Sequence, residues 1–223
     1  MRKIGNSSAP FLAYTTKEET GHSILHGAGT LGAIAGLVLL SLKTRGFLGW
    51  ERDSNLNIAA ALIFSITLIG LFLASTLYHV TPQKKVKRIF RIADHAAVVT
   101  FIAGSYTPFC LSGLGGFGGW AIFSIQWFLA ITGITLNILG SRALRKVEVT
   151  AYIIMGWFFL FILIPLMQSV RPISIVLLLI GGLIYSVGTI WYRMKHIRGT
   201  HVIWHGFVLG GAVCHWFSVW FVY

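Results

Sequence analysis

Charge is the first thing this sequence lacks. Only 11% of its 223 residues are charged, and the six acids are outnumbered by eighteen lysines and arginines. A soluble domain carries about 25% charged residues, so no water-facing surface can be assembled from this composition. Cysteine is nearly missing as well. Cys110 and Cys214 both fall in apolar stretches and match no metal-binding spacing, so they read as packing residues rather than a disulfide. The first 20 residues contain no apolar core of a signal sequence, and no cleavable signal peptide is expected.

What the chain has in excess is apolar residues, 56% of the total. They fall in continuous blocks close to the roughly 20 residues a helix needs to cross a bilayer. Lipid offers the backbone no hydrogen-bond partner, so only helices or closed barrels can cross. Unbroken apolar runs without period-two alternation select helices. The expected fold is therefore all-α, a polytopic membrane protein with seven spans at 24–42, 58–79, 92–111, 120–139, 149–167, 173–191 and 202–222. Residues 1–15 form a polar leading segment and 16–223 the helical domain. Thr16-Lys-Glu-Glu19 reads as a capping box that opens the first helix ahead of the membrane. Pro108 predicts a kink near the far end of span three, and Pro165 a bend or stop in span five. Gly113 to Gly119 reads as a flexible turn, and Gly27, Gly29, Gly32 and Gly36 as a surface for close helix approach. Trp50, Trp120, Trp191 and Tyr223 read as interface anchors.

The net charge of +12 does not call for nucleic acid. The basic residues lie in loops beside the spans, where they orient helices and meet anionic lipid of the inner leaflet. Fourteen of the eighteen lie in the leading segment and in loops two, four and six, against Lys43, Arg45, Arg52 and Arg171 on the other side. This bias predicts a cytoplasmic amino terminus, an external carboxyl terminus and residence in the cell membrane.

Ionisable groups inside spans are expensive and so are functional candidates by default. Ser75 and His79 share a helix face at the end of span two. Asp94 and His95 begin span three, and His201 and His205, one turn apart, begin span seven. With alternating span directions, all of these lie at one depth, on the cytoplasmic side. Three imidazoles, His79, His201 and His205, suit a tetrahedral zinc ion with a fourth position left for water, which is the layout of a catalytic site. Asp94 would orient that water or take its proton, and Ser75 would hold a ligand or a substrate oxygen. His22, His26, Glu19 and His95 are candidates to stand behind the ligands. Glu18 and Glu19 also read simply as acids favoured at a helix start. His215, on another face of span seven, reads as a hydrogen-bonded packing residue.

At these residues the chain resembles a known family. Glu18-Glu19 followed by His26-Gly27, Ser75-x-x-Tyr78-His79, Asp94-His95, Ala103-Gly-Ser-Tyr-Thr-Pro108 and His201-x-x-x-His205 together are similar to the hemolysin III family. That family stands with the progestin and adipoQ receptors and, more distantly, the alkaline ceramidases. The resemblance runs from about residue 15 to the end. It implies seven helices and a cytoplasmic-side zinc site with His79, His201 and His205 as ligands, Asp94 at the water and Ser75 beside it. It also implies metal-dependent hydrolysis of a lipid amide, while the hemolysin name implies a membrane-damaging or pore-type activity. Three functions follow as expectations: a zinc hydrolase acting on lipid amides; a non-enzymatic cytolysin, channel or regulator of membrane state with structural zinc; and a receptor for a small lipid. Short outer loops leave no room for a large extracellular ligand.

Overall fold

The computed structural model of the protein describes residues 14–47, 54–140, 142–194 and 196–223, with the backbone alone for 142–146. The predicted leading segment therefore lies outside the described residues except for Tyr14 and Thr15, as do Trp50, Arg52 and Lys195. The described chain is helical throughout, with seven helices long and apolar enough to cross a membrane. The helices are α1 Thr16–Thr44, α2 Asn55–Val80, α3 Lys84–Pro108, α4 Gly116–Ile138, α5 Arg142–Trp157, α6 Leu163–Ser169, α7 Pro172–Arg193 and α8 Thr200–Trp220. The fifth span is α5 and α6 joined end to end. The protein is a multi-pass integral membrane protein.

Helix α1 starts one residue earlier than the sequence pattern predicts. Thr15, not Thr16, is the N-cap: the Glu18 backbone N–H donates to its hydroxyl, and the Glu18 carboxylate accepts from the Thr15 N–H at 2.7 Å. The shift matters because it assigns capping to Glu18 and releases Glu19 for another role. The second Glu18 oxygen accepts from the Gly199 N–H at 2.7 Å, tying the start of α1 to the start of α8.

The two prolines act through hydrogen-bond accounting. After Pro108 the ladder widens to a π-helix, Phe109–Leu114, closed by Gly115 N–H to the Cys110 carbonyl at 2.9 Å. The predicted seven-residue turn shrinks to Gly115 and Gly116, both at positive φ, where a side chain would be strained. Gly119 is also obligatory, because a Cβ there would sit 2.1 Å from the Cys110 oxygen. In the fifth span the distortion precedes Pro165: Phe158–Ile162 tightens to a 3₁₀ turn between α5 and α6. Tyr106 repairs it. Its hydroxyl lies 2.8 Å from the Met155 carbonyl and 2.9 Å from that of Gly156, and accepts from the Phe159 N–H at 2.8 Å. The buried Ala103–Pro108 segment thus stitches α3 to the broken fifth span.

Consecutive helices pack as neighbours from α1 to α4; α5 contacts α3, α4 and α7, and α8 packs on α7 and closes back onto α1. Of the four glycines expected to allow close approach, Gly29 and Gly36 do so. Added Cβ atoms would meet Phe72 at 2.8 Å and Trp216 Nε1 at 2.4 Å, whereas Gly32 faces open space. Gly36→Leu is therefore expected to destabilise the α1–α8 contact by about 1–3 kcal/mol through overpacking, seen as a lower thermal midpoint of the detergent-solubilised protein. Gly32→Leu should leave that midpoint unchanged.

Lys43 is not the loop cation the sequence implies. It is 1% exposed, donates to the Trp220 carbonyl and lies 4.0 Å from the Trp220 ring centroid. It thus serves the carbonyl end of α8, where a cation is electrostatically favoured. Cys110 and Cys214 are free thiols, as expected.

Candidate metal centre

The polar residues gather at the end of the bundle where α1, α3 and α8 begin and α2 ends. His22 and His26 come from α1, His79 from α2, and His201 and His205 from α8. The rings of His79, His201 and His205 converge, with centroids 4.6 Å apart for His201–His205, 5.0 Å for His79–His205 and 5.6 Å for His79–His201. Around a tetrahedral zinc with Zn–N of about 2.0–2.1 Å, ring centroids stand roughly 5 Å apart. His22 joins the group from behind, with its centroid 4.2 Å from that of His79 and 4.8 Å from that of His205. His22, His79 and His205 offer ring nitrogens that all lie within 4.8 Å of one another. Three buried histidines are thus close enough to hold a metal ion.

Hydrogen bonds set which nitrogens are offered. His79 Nδ1 lies 2.6 Å from Glu19 Oε2. A carboxylate only accepts, so Nδ1 carries the proton and Nε2 carries the lone pair. His205 Nδ1 lies 2.8 Å from His26 Nε2. The two Nε2 atoms of His79 and His205 then face each other at 3.2 Å. That separation is close to the edge of a zinc tetrahedron, about 3.3 Å for bonds of 2.0–2.1 Å. The donor set is imidazole, buried and backed by a carboxylate, and it suits a first-row transition metal such as zinc, copper, iron or nickel. Lys87 donates to the other Glu19 oxygen at 2.6 Å and balances its charge. Glu19 is therefore bonded to His79 and Lys87 rather than standing only as an acid at a helix start, and His26 stands directly behind His205.

Asp94 and Ser75 line a cavity that His26, His201 and His205 also border. The Ser75 hydroxyl is buried without a well-formed hydrogen bond, and Asp94 lies beside it. Tyr14 covers the cluster from outside the helices, stacked on His201 with centroids 4.9 Å apart. Burial raises its pKa above the ordinary range, so it remains a neutral donor. His95 turns away from the other histidines towards α5, where its Nδ1 meets Glu148 at 2.6 Å. Sequence reasoning missed Glu148, because a lone acid next to a basic loop carries no spacing signal. His215 is a buried packing residue, as expected, set edge-on to Tyr185 with the Leu178 backbone as its polar neighbour.

The cavity is about 780 Å³ and changes character along its length. Lys87, Arg91 and Asp94 line its polar end; Phe109, Phe159 and Leu166 line the far part.

Comparison with known proteins agrees with this architecture. The family described as haemolysin-III related matches residues 14–216. The "Hemolysin-3 homolog" of Bacillus subtilis (strain 168) is 39% identical over 208 residues, covering 93% of this chain and 95% of that protein. "Hemolysin-3" of Bacillus cereus is 37% identical over 205 residues, 92% of this chain and 91% of its own length. The human "Monocyte to macrophage differentiation factor" is 28% identical over 216 residues, covering 92% and 84% respectively. The match runs through every helix that supplies a histidine or acid to the centre, and the chain belongs to the haemolysin-III related family of membrane proteins.

Proposed function

We propose that this protein is a zinc-dependent hydrolase of lipid amides, with the ion held by His79, His201 and His205 near the inner leaflet. The observation that carries the reading is the pair of Nε2 atoms facing each other at 3.2 Å, each on a ring whose Nδ1 is engaged from behind. His201, on the same helix face as His205, is the third ligand of this reading, with its ring centroid 4.6 Å from that of His205 and 5.6 Å from that of His79; His22, whose nitrogens lie within 4.8 Å of those of His79 and His205, is its competitor for that place. Zinc bound by neutral imidazoles supplies Lewis acidity, polarising a carbonyl and making a nearby water more acidic.

The chain's own residues supply the rest. Asp94 accepts the proton of the attacking water, and the Ser75 hydroxyl donates to the carbonyl oxygen. Glu19 holds His79 in one tautomer and one orientation. The cavity accepts an amphiphile whose head lies among Lys87, Arg91 and Asp94 and whose chain runs towards Phe159 and Leu166. The loop charges of the sequence favour a cytoplasmic amino terminus, which puts the polar mouth among inner-leaflet head groups. The test is turnover: purified, zinc-loaded protein should release fatty acid from N-acyl sphingoid lipids in mixed micelles. A full zinc complement with no hydrolysis of any amide lipid would rule the reading out.

One observation favours a second, non-enzymatic reading. Without an ion, Glu19, His79, His205 and His26 can share protons in an unbroken chain across α1, α2 and α8. Such a chain, or a structural zinc replacing its central proton, would hold three helices together in a protein that alters membrane state. Loss of folding in the double variant His79→Ala with His201→Ala, with no catalytic activity in the wild type, would favour it.

A further inference from the structure

The cavity lining holds a polar group that the proposed hydrolysis leaves unused. His95 of α3, in the cavity lining, meets Glu148 of α5. His95 Nδ1 is 2.6 Å from Glu148 Oε1, and the Tyr152 hydroxyl donates to that same oxygen at 2.5 Å. The Tyr152 oxygen also lies 3.3 Å from the His95 carbonyl, so its donor atom touches both partners. Glu148 is 8% exposed. A buried carboxylate held by two donors can only accept, so the His95 proton facing it sits on Nδ1. This is the arrangement by which a carboxylate orients an imidazole for proton transfer through its other nitrogen. His95, Tyr152 and Asp94 all line the cavity that His201 and His205 also border. Asp94 and His95 are consecutive, so one turn of α3 supplies both an acid and an imidazole to the lining.

Hydrolysis of an amide needs two proton transfers. One proton leaves the water and one must reach the departing nitrogen, because an amide anion is too basic to leave unprotonated. Asp94 serves the first transfer, and the second calls for a proton donor near the departing nitrogen. We propose that His95, oriented by Glu148 and Tyr152, is the general acid for the leaving nitrogen; the inference rests on the hydrolase reading above. In balance, the water oxygen bonds to the carbonyl carbon and its proton passes to Asp94. The C–N bond breaks with its electron pair on nitrogen, which takes the Nε2 proton of the His95 imidazolium. Carboxylic acid and free amine depart, and Asp94 returns its proton to His95, so the protein ends as it began. His95 is then a catalytic residue, and Glu148 and Tyr152 are positioning residues that act through it.

The experiment compares leaving groups. Zinc-loaded wild type, His95→Asn and Glu148→Gln are assayed on a fluorescent N-acyl amino-alcohol amide and on the 4-methylumbelliferyl ester of the same acyl chain. Asparagine puts an amide donor where Nδ1 was and keeps the bond to Glu148, but carries no transferable proton. Umbelliferone leaves without protonation. His95→Asn is expected to lower amide turnover by about 100-fold or more and ester turnover by less than about threefold, with Glu148→Gln between wild type and His95→Asn on the amide. Equal losses on both substrates, or full amide activity in His95→Asn, would overturn the assignment. Turnover of neither substrate by zinc-loaded wild type would remove the hydrolase reading and this step with it. Nitrogen-15 NMR of histidine-labelled protein judges the orientation without any turnover. A hydrogen-bonded Nδ1–H on His95 that shifts in Glu148→Gln supports it, and an Nε2–H tautomer with bare Nδ1 overturns it.

Discussion

His79→Ala and His205→Ala are each expected to reduce the zinc content of the purified protein from about one ion per chain to near zero, with the seven-helix fold retained. Each removes one of the two nitrogens that face each other at 3.2 Å, and a catalytic zinc is ordinarily held by three protein ligands. Loss of affinity should exceed the 10–100-fold typical of removing a group that only orients a ligand. Glu19→Gln supplies that lesser benchmark, since Glu19 touches His79 Nδ1 and not the ion-facing nitrogen. The third ligand is decided in the same series. His201→Ala should lose zinc and His22→Ala should keep it, because the His22 contact with His79 is Nδ1 to Nδ1 at 3.1 Å, behind the ring rather than in front of it. Elemental analysis with size-exclusion profiles checks every variant. Zinc retained in His201→Ala and lost in His22→Ala would exchange the two residues. Zinc retained in both His79→Ala and His205→Ala would end the metal-centre proposal.

Asp94→Asn is expected to lower amide turnover by about 10²–10⁴-fold, the range for losing a positioned general base, while zinc content stays at the wild-type level. The separation of the two readouts is the point of the variant. Asp94 lies beside Ser75 on the cavity wall and is no part of the imidazole group. An asparagine keeps its shape and loses its ability to take a proton. Ser75→Ala should show a smaller loss, since it removes one hydrogen bond to the carbonyl oxygen while leaving the proton acceptor in place. If Asp94→Asn emptied the site of zinc, Asp94 would be a ligand and the division of roles would have to be redrawn. If it left amide turnover unchanged, another group would be the base.

The family relationship bears on these outcomes unevenly. The family match spans residues 14–216, nearly the whole helical bundle. The names of the relatives, a hemolysin and a differentiation factor, describe effects on cells and membranes and no bond made or broken. Function must therefore be argued from the site. The site offers an imidazole cluster at a polar cavity mouth above an apolar interior.

The sequence by itself determined the seven spans and the depth of the polar groups. Both follow from one-dimensional regularities: run length sets a membrane crossing, and alternating direction sends the end of one span and the start of the next to the same side. His79, His201, His205, Asp94 and Ser75 were legible for that reason. Only the tertiary structure decided the lateral pairings. Nothing in spacing joins Glu19 to His79, 60 residues away, His26 to His205, 179 away, or His95 to Glu148, 53 away. These contacts depend on the rotation of each helix about its own axis. A capping box placed one residue earlier than its pattern suggested changed which acid faced the histidines. Lys43 shows the same limit, counted as a loop charge in the sequence but buried against Trp220 in the fold. Hydropathy reports how deep a side chain lies, whereas the packing of side chains between helices decides which neighbour it meets.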